Sequence, residues 1–360
     1  MILSKMGFYL TRDFVRKIVF LYIVFFFLIF TFDLIELSRK LATQKSIIFY
    51  DIIKIAFLRA PHFSGQILPF IVLFAAMASF FRLNQTFELV IARASGISVW
   101  QILTPFIMTA AAIGLFSSLV YHSLALKSQI QSQSVEASVF TNNSKKFWLR
   151  AMSSDGEMII YARVSGESGK NLKGVTAYLF TLEGEIGVRF DAEQAHFLVG
   201  ENGIARYRLM DVVATESGKV RKKITSVDLN VDINEYDLLI KKTDAKSMPF
   251  WRLREQASRA EDAGRNPNPF LTQFHAMLSQ PLLFVAMVLI AASFSLRLVE
   301  GTSNLVILSG ILIAFMLYIV AELVLTFANN GLISPVLAAW SPPFVATLLS
   351  ITILLHQEDG

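Results

Sequence analysis

IVFLYIVFFFLIFTF, residues 18–32, decides the fold class. Only Thr31 interrupts the apolar run, which continues through Asp33 and Glu36 to Leu37. A bilayer core takes about 20 mostly apolar residues, and this stretch supplies them. Lys5, Arg12, Arg16 and Lys17 stand ahead of it. The run is too long for a signal peptide and no small-residue cleavage site follows, so it reads as a retained membrane span. Its far end turns ionic, with Asp33, Glu36, Arg39, Lys40 and Lys45, where a helix leaving hydrocarbon can place charges among head groups. Interfacial anchoring and ligand contact are both open readings of these charges.

The composition agrees. Of 360 residues, 54% are hydrophobic and 17% charged, with a mean hydropathy of +0.53, a balance rare in soluble domains. Phe outnumbers Trp and Tyr, 31 against 4 and 9, as expected where side chains face hydrocarbon rather than the interface. The net charge of +5 is spread along the chain with no block of consecutive Lys and Arg, which argues against a nucleic-acid partner. The absence of cysteine removes disulfides, thiolate catalysis and Cys-based metal sites.

Outward from the first span, Ser46 to Ala60 reads as an amphipathic approach along the outer interface, and Pro61, Gly65 and Pro69 bend the path into a second span ending at Phe81. LNQTFELVIARASGISVWQ, residues 83–101, separates it from a third span, Ile102 to about Leu126. Short alternating segments then appear at 145–151, 157–164, 174–182, 195–200, 204–213 and 222–231, divided by Gly, Asn, Asp and Ser. That is the pattern of a small antiparallel β domain. MPFWRLREQASRAEDAG, residues 248–264, reads as an amphipathic helix, and Asn266-Pro267-Asn268-Pro269 marks a boundary. Spans four (Phe270–Leu296, with a kink at Gln280-Pro281), five (Leu305–Ala328) and six (Val336–Leu355) follow. The expected fold class is therefore a membrane α-helical protein of six transmembrane helices with an inserted all-β domain. The blocks are 1–126 (three spans), 127–248 (β domain), 249–269 (amphipathic helix and linker) and 270–360 (three spans).

Lys5, Arg12, Arg16, Lys17, Arg82, Arg93 and Arg297 fall on one side of this arrangement and Arg39, Lys40, Lys45, Lys54 and Arg59 on the other. The slight bias places both termini in the cytoplasm and the β domain outside, in the periplasm of a bacterium.

No GxxxxGK[ST] occurs; Gly166-Glu167-Ser168-Gly169-Lys170-Asn171 has the wrong spacing and no hydroxyl after Lys170, so ATP is not bound through a P-loop. His62, His122, His196, His275 and His356 show no zinc-binding spacing. Asp155, Asp191 and Asp211 read as solvated carboxylates of the β domain. Glu322, in LYIVAELVL, is the acid well inside an apolar span. An uncompensated charge there costs about 2.5–3.5 kcal/mol, so it should be protonated, paired or facing a cavity. An inter-subunit role and a water-exposed place near the end of the span both fit.

In residues 83–101, Thr86 reads as an N-cap, Glu88 as a first-turn acid favourable to the helix dipole, and Gly96 as the stop of a short helix. Phe87, Val90, Ile91 and Ala94 recur at helical spacing and share one face. A helix lying on the membrane and a docking surface for another protein both satisfy this pattern.

The TFELVIARASG string at 86–96, the ILPF before span two, and a β insertion between two three-span blocks resemble the permease subunits of the lipopolysaccharide export ABC transporter, the LptF/LptG (YjgP/YjgQ) family. Ala94-Ser95-Gly96 and the ending GLISPVLAAWSPPFVATLLS look more like LptG than LptF. The resemblance implies a jelly-roll periplasmic domain that joins others into a β bridge. It implies that Phe87, Glu88, Ile91, Arg93, Ala94, Ser95 and Gly96 form a coupling helix docked on a cytoplasmic ATPase, with Glu88 a key contact. Arg39, Lys40 and Lys45 would meet lipid phosphates, although Gln133 and Glu136 stand where relatives often carry Arg. The implied partners are the sister permease LptF, two copies of the ATPase LptB, the single-span LptC, the periplasmic LptA by way of the bridge, and lipopolysaccharide; no cofactor is implied. A membrane-embedded enzyme using Glu322 and histidines is one competing reading. A non-transporting scaffold or sensor with a β receptor domain is another.

Overall fold

The computed structural model describes residues 2–41, 49–139, 147–153, 156–166, 171–180, 186–199, 205–216, 221–231, 245–262, 264–295 and 304–358. They fall into two compact units: Met1–Arg39, Arg59–Ser128 and Asp244–Gly360 form one, and Lys40–Leu58 with Gln129–Thr243 the other.

The helices are α1 (Ile2–Leu41), α2 (Phe49–Gln85), α3 (Glu88–Ala94), α4 (Val99–Phe116), a π-helical turn (Ser117–Tyr121), α5 (His122–Val139), α6 (Phe250–Asp262), α7 (Asn268–Ser295), α8 (Asn304–Asn329) and α9 (Pro335–Glu358). Among the described residues, six helical stretches are long and apolar enough to cross a membrane. They are α1, α2, the continuous α4–α5, α7, α8 and α9. With an antiparallel sheet inserted between α5 and α6, the fold class expected from the sequence is the one observed.

One expectation is corrected. Residues 49–85 are a single helix rather than an interfacial segment bent into a span; Pro61 and Pro69 lie inside it. Membrane helices tolerate proline when neighbours satisfy the freed backbone groups. The clearest case of that rule here is in α7. Pro281 has no N–H to give the Met277 carbonyl, and the Ser118 hydroxyl, projected by the π-turn, lies 2.7 Å from that oxygen. The same hydroxyl is 2.7 Å from the Gln280 side-chain oxygen, and its one proton serves either. Gly114 makes this approach possible: a Cβ there would stand 2.5 Å from the Pro281 Cα.

The apolar core of the membrane unit centres on α2 and α7, whose most apolar stretches are each 61% buried. In α1 and α8 the corresponding stretches are 6% and 11% buried, so these helices are peripheral. On α1 only Leu10, Phe14, Ile18 and Leu37 are buried among the described residues, and Phe20, Ile23, Phe27 and Phe32 between them are exposed. A 40-residue helix spans about 60 Å. Its middle is largely exposed but not without contacts: the Phe25 ring stacks on Phe74 at 6.2 Å and the Tyr22 hydroxyl lies 3.0 Å from that of Tyr121.

In the other unit, β1 (Phe147–Ser153), β2 (Gly156–Gly166), β3 (Asn171–Phe180), β4 (Ile186–Val199), β5 (Ala205–Glu216) and β6 (Lys222–Val231) pair antiparallel in sequence order. Alternate residues, among them Ile160, Ala177, Ala195, Tyr207 and Leu209, are fully buried on one face, around which the sheet curls until β1 and β6 approach. The described strands connect as a meander, whereas a jelly roll adds Greek-key crossings. β4 begins well before the 195–200 segment read from sequence, because Arg189, Asp191 and Glu193 alternate outward and hide its inward partners. Asp191 is not simply solvated: Thr176 and Arg189 donate to it at 2.9 and 2.8 Å. Asp211 takes a left-handed backbone (φ 52°) inside β5, and Asp155 lies outside the described residues.

Candidate functional site

The ASGIS sequence at 94–98 builds both sides of a sharp turn. Gly96, at φ 86°, ends α3: its N–H donates to the Arg93 carbonyl and that of Ile97 to Ala92, the pairing of a Schellman cap. Ser98 then caps α4, exchanging bonds with Gln101 in a capping box. Gly96 is thus the stop that its position suggests.

The start of α3 departs from expectation. Thr86 is not the N-cap; Phe87 occupies that position in the left-handed region (φ 58°, ψ 7°), with no side-chain cap. No Gly or Pro separates α2 from α3, so the chain breaks helix by placing an ordinary residue where a Cβ is disfavoured. The Thr86 hydroxyl instead lies 3.0 Å from the Arg82 carbonyl and 3.0 Å from the Glu88 carboxylate.

On α3 itself, Leu89 and Ala92 are buried against the membrane unit. Phe87 and Ile91 are 67% and 66% exposed, and Val90, Arg93, Ala94, Ser95 and Gly96 are exposed too. The face read from spacing therefore points outward. Glu88 sits at its edge, half-buried, accepting at 3.4 Å from the hydroxyl of Tyr9 on α1.

Behind Glu88 lies a charged cluster that sequence reading did not single out. The Asp13 carboxylate is 2.7 Å from the Lys17 ammonium and 3.3 Å from the Arg82 guanidinium. Lys17 also donates to Ser79 Oγ at 3.2 Å and to the Ala78 carbonyl at 3.3 Å. Arg82 stands 5.4 Å from the centre of the Tyr9 ring, within cation–π range. Tyr9, Asp13 and Lys17 recur every fourth residue on α1, and Ser79 and Arg82 lie three apart on α2. That spacing, on two spans, was the available signal.

At the other end of α1, Arg59 of α2 reaches Asp33 at 3.8 Å. Arg39 is exposed in the last turns of α1; the Lys40 side chain and all of Lys45 lie outside the described residues. Gln133 is exposed and Glu136 half-buried on α5.

Glu322 is paired: Lys246, in the 3-10 turn Ala245–Ser247, donates to it at 3.0 Å. Both line a cavity of about 480 Å³ with His62, Tyr121, His122 and Gln280. Much of this lining is already bonded internally. The Tyr121 hydroxyl donates to the Pro61 carbonyl and meets Tyr22, and the His122 ring meets the Met248 carbonyl. Among the described residues, no three His, Asp or Glu converge as a metal site.

No curated protein matches the chain. The model of the family described as "Lipopolysaccharide export system permease LptF/LptG" matches residues 8–356.

Proposed function

Because the chain belongs to the LptF/LptG family of lipopolysaccharide export permeases, a multi-pass inner-membrane protein of an ABC transporter and not itself the catalytic enzyme, we propose that it is the LptG-type half of a heterodimeric transmembrane unit with LptF. It takes its energy from two copies of the ATPase LptB, works beside LptC, and passes lipopolysaccharide extracted from the inner membrane along a β bridge toward LptA.

The observation that carries this reading is α3. Phe87 and Ile91, 67% and 66% exposed, leave an apolar face on a short helix between two spans, the kind of face that a docked partner covers. Glu88 beside that face adds a charge-assisted bond of defined direction. Phe87, Glu88, Ile91, Arg93, Ala94, Ser95 and Gly96 are the proposed ATPase contact, in the cytoplasm with both termini. The β unit, with its enclosed apolar face, is the proposed periplasmic bridge segment. The working parts follow the division 1–126, 127–248, 249–269 and 270–360. The peripheral spans α1 and α8 suit the role of movable walls around the acyl chains, with Arg39, Lys40 and Lys45 toward the lipid phosphates. The alternative of a non-transporting scaffold leaves the exposed face of α3 without a purpose.

Affinity purification tests the reading. The tagged chain should bring down a P-loop ATPase, and Glu88→Lys should weaken that association and lipid export together. Intact association and export in Glu88→Lys would reject it.

A further inference from the structure

Much of the surface of α1 is exposed, yet its first third is held firmly. The apolar stripe Leu10, Phe14 and Ile18 is buried, Phe14 and Phe80 both packing on Phe106 with ring centres 5.0 and 4.7 Å apart. Next to it runs the polar stripe Tyr9, Asp13 and Lys17. Arg82 connects this stripe to the base of α3 in two ways. Its side chain lies 3.3 Å from Asp13 and over the Tyr9 ring, while its carbonyl accepts the Thr86 N–H at 2.9 Å. Thr86 in turn contacts Glu88, and Tyr9 donates to Glu88. The result is a closed ring of contacts in which α1 contributes Tyr9 and Asp13, one helical turn apart. The Asp13 side chain is only 14% exposed, held by two cations and 3.5 Å from the Ser79 hydroxyl.

We propose that Asp13 is a positioning residue for energy transmission: clamped between Lys17 and Arg82, it fixes the root of α1 to the base of α3, so that a displacement of α3 carries span one with it. The proposal rests on the reading of α3 as the ATPase contact. A half-buried carboxylate between two cations resists displacement because parting it from either leaves a poorly solvated charge. Along the middle of α1 the ring contacts of Phe25 with Phe74 and of Tyr22 with Tyr121 involve no ion pair.

The test is the reconstituted transporter in proteoliposomes, with Asp13→Asn, Asp13→Glu and the α3 variant Ile91→Ala compared for ATPase association, ATP turnover, and lipid released per ATP. Asp13→Asn should keep the ATPase bound and turning over while lipid per ATP falls at least about fivefold, the lower end of a site-to-site coupling energy. Asp13→Glu, which keeps the charge, should restore most of the loss. An unchanged lipid-to-ATP ratio in Asp13→Asn overturns the proposal. So does a loss that Asp13→Glu fails to recover while the complex stays assembled. Should Asp13→Asn not assemble, Lys17→Met and Arg82→Gln stand in for it under the same criterion. Failure of the underlying reading registers elsewhere, as Ile91→Ala retaining full ATPase association.

Discussion

Lys246 Nζ lies 3.0 Å from Glu322 Oε2, joining the turn that precedes α6 to span five in the lining of a cavity. The acid that looks anomalous in an apolar span therefore has a counter-charge. Their side chains are 55% and 40% exposed on the protein surface, and an ion pair reached by water there is worth little. Glu322→Gln and Lys246→Gln should each cost less than about 1 kcal/mol in thermal unfolding, with a coupling of the same small size in the double-mutant cycle. A large loss on removing Lys246 alone would mean that Glu322 is desolvated.

Ser118 and Pro281 should be coupled. With Pro281 in place, Ser118→Ala leaves the Met277 carbonyl without its donor and should cost about 1–3 kcal/mol. In the Pro281→Ala background an N–H returns to that carbonyl, and the same substitution should cost much less. Gly114→Ala should be destabilising by about 1–3 kcal/mol, because the atom its Cβ meets is backbone and cannot swing aside. Unfolding midpoints of the purified variants measure all three.

Phe87 carries two separable roles. Phe87→Ala keeps the left-handed strain and loses the ring, whereas Phe87→Gly loses both. The glycine variant should be the more stable of the two by about 1 kcal/mol, while both weaken ATPase association equally. Equal stability would show that the turn relaxes out of the left-handed region.

In the β unit, Arg208 donates to both oxygens of Asp228, at 2.8 and 3.0 Å, with Arg206 3.4 Å away. The Arg208 bonds hold the Asp228 carboxyl below the usual carboxylate range, against a smaller opposing effect of burial. A folded-state value below the unfolded one means the stabilisation is fully present above the unfolded value, about 3.9, and is lost as pH falls through the folded value. Wild type should therefore exceed Asp228→Asn in thermal midpoint near neutral pH, and the gap should close on acidification below that range. A gap that persists there would contradict the assignment.

How much of this was legible in the sequence depends on whether one segment carried its own signal. The six spans and the exposed face of α3 did, since runs of apolar residues and the 87, 90, 91, 94 spacing are local. Gly96 was readable for the same reason. The Thr86 cap was misread because the break depends on a left-handed Phe87, which no residue type announces. The continuity of α2 through Pro61 and Pro69 rests on packing, not on propensity. Lys246 with Glu322, and Asp13 with Arg82, join residues far apart in the chain: Glu322 stands out in its apolar span but nothing local names its partner, and Lys246, Asp13 and Arg82 each read alone as an ordinary interfacial charge.

The central claim, that another protein drives this chain through the outward face of α3, is tested most directly by site-specific crosslinking. The natural chain has no cysteine, so single cysteines can be placed without background. A photo-crosslinker at position 91, where Ile91 is 66% exposed, should capture a P-loop ATPase in membranes, and one at position 89, where Leu89 is 5% exposed, should not. No capture from position 91, or equal capture from both, would contradict the account.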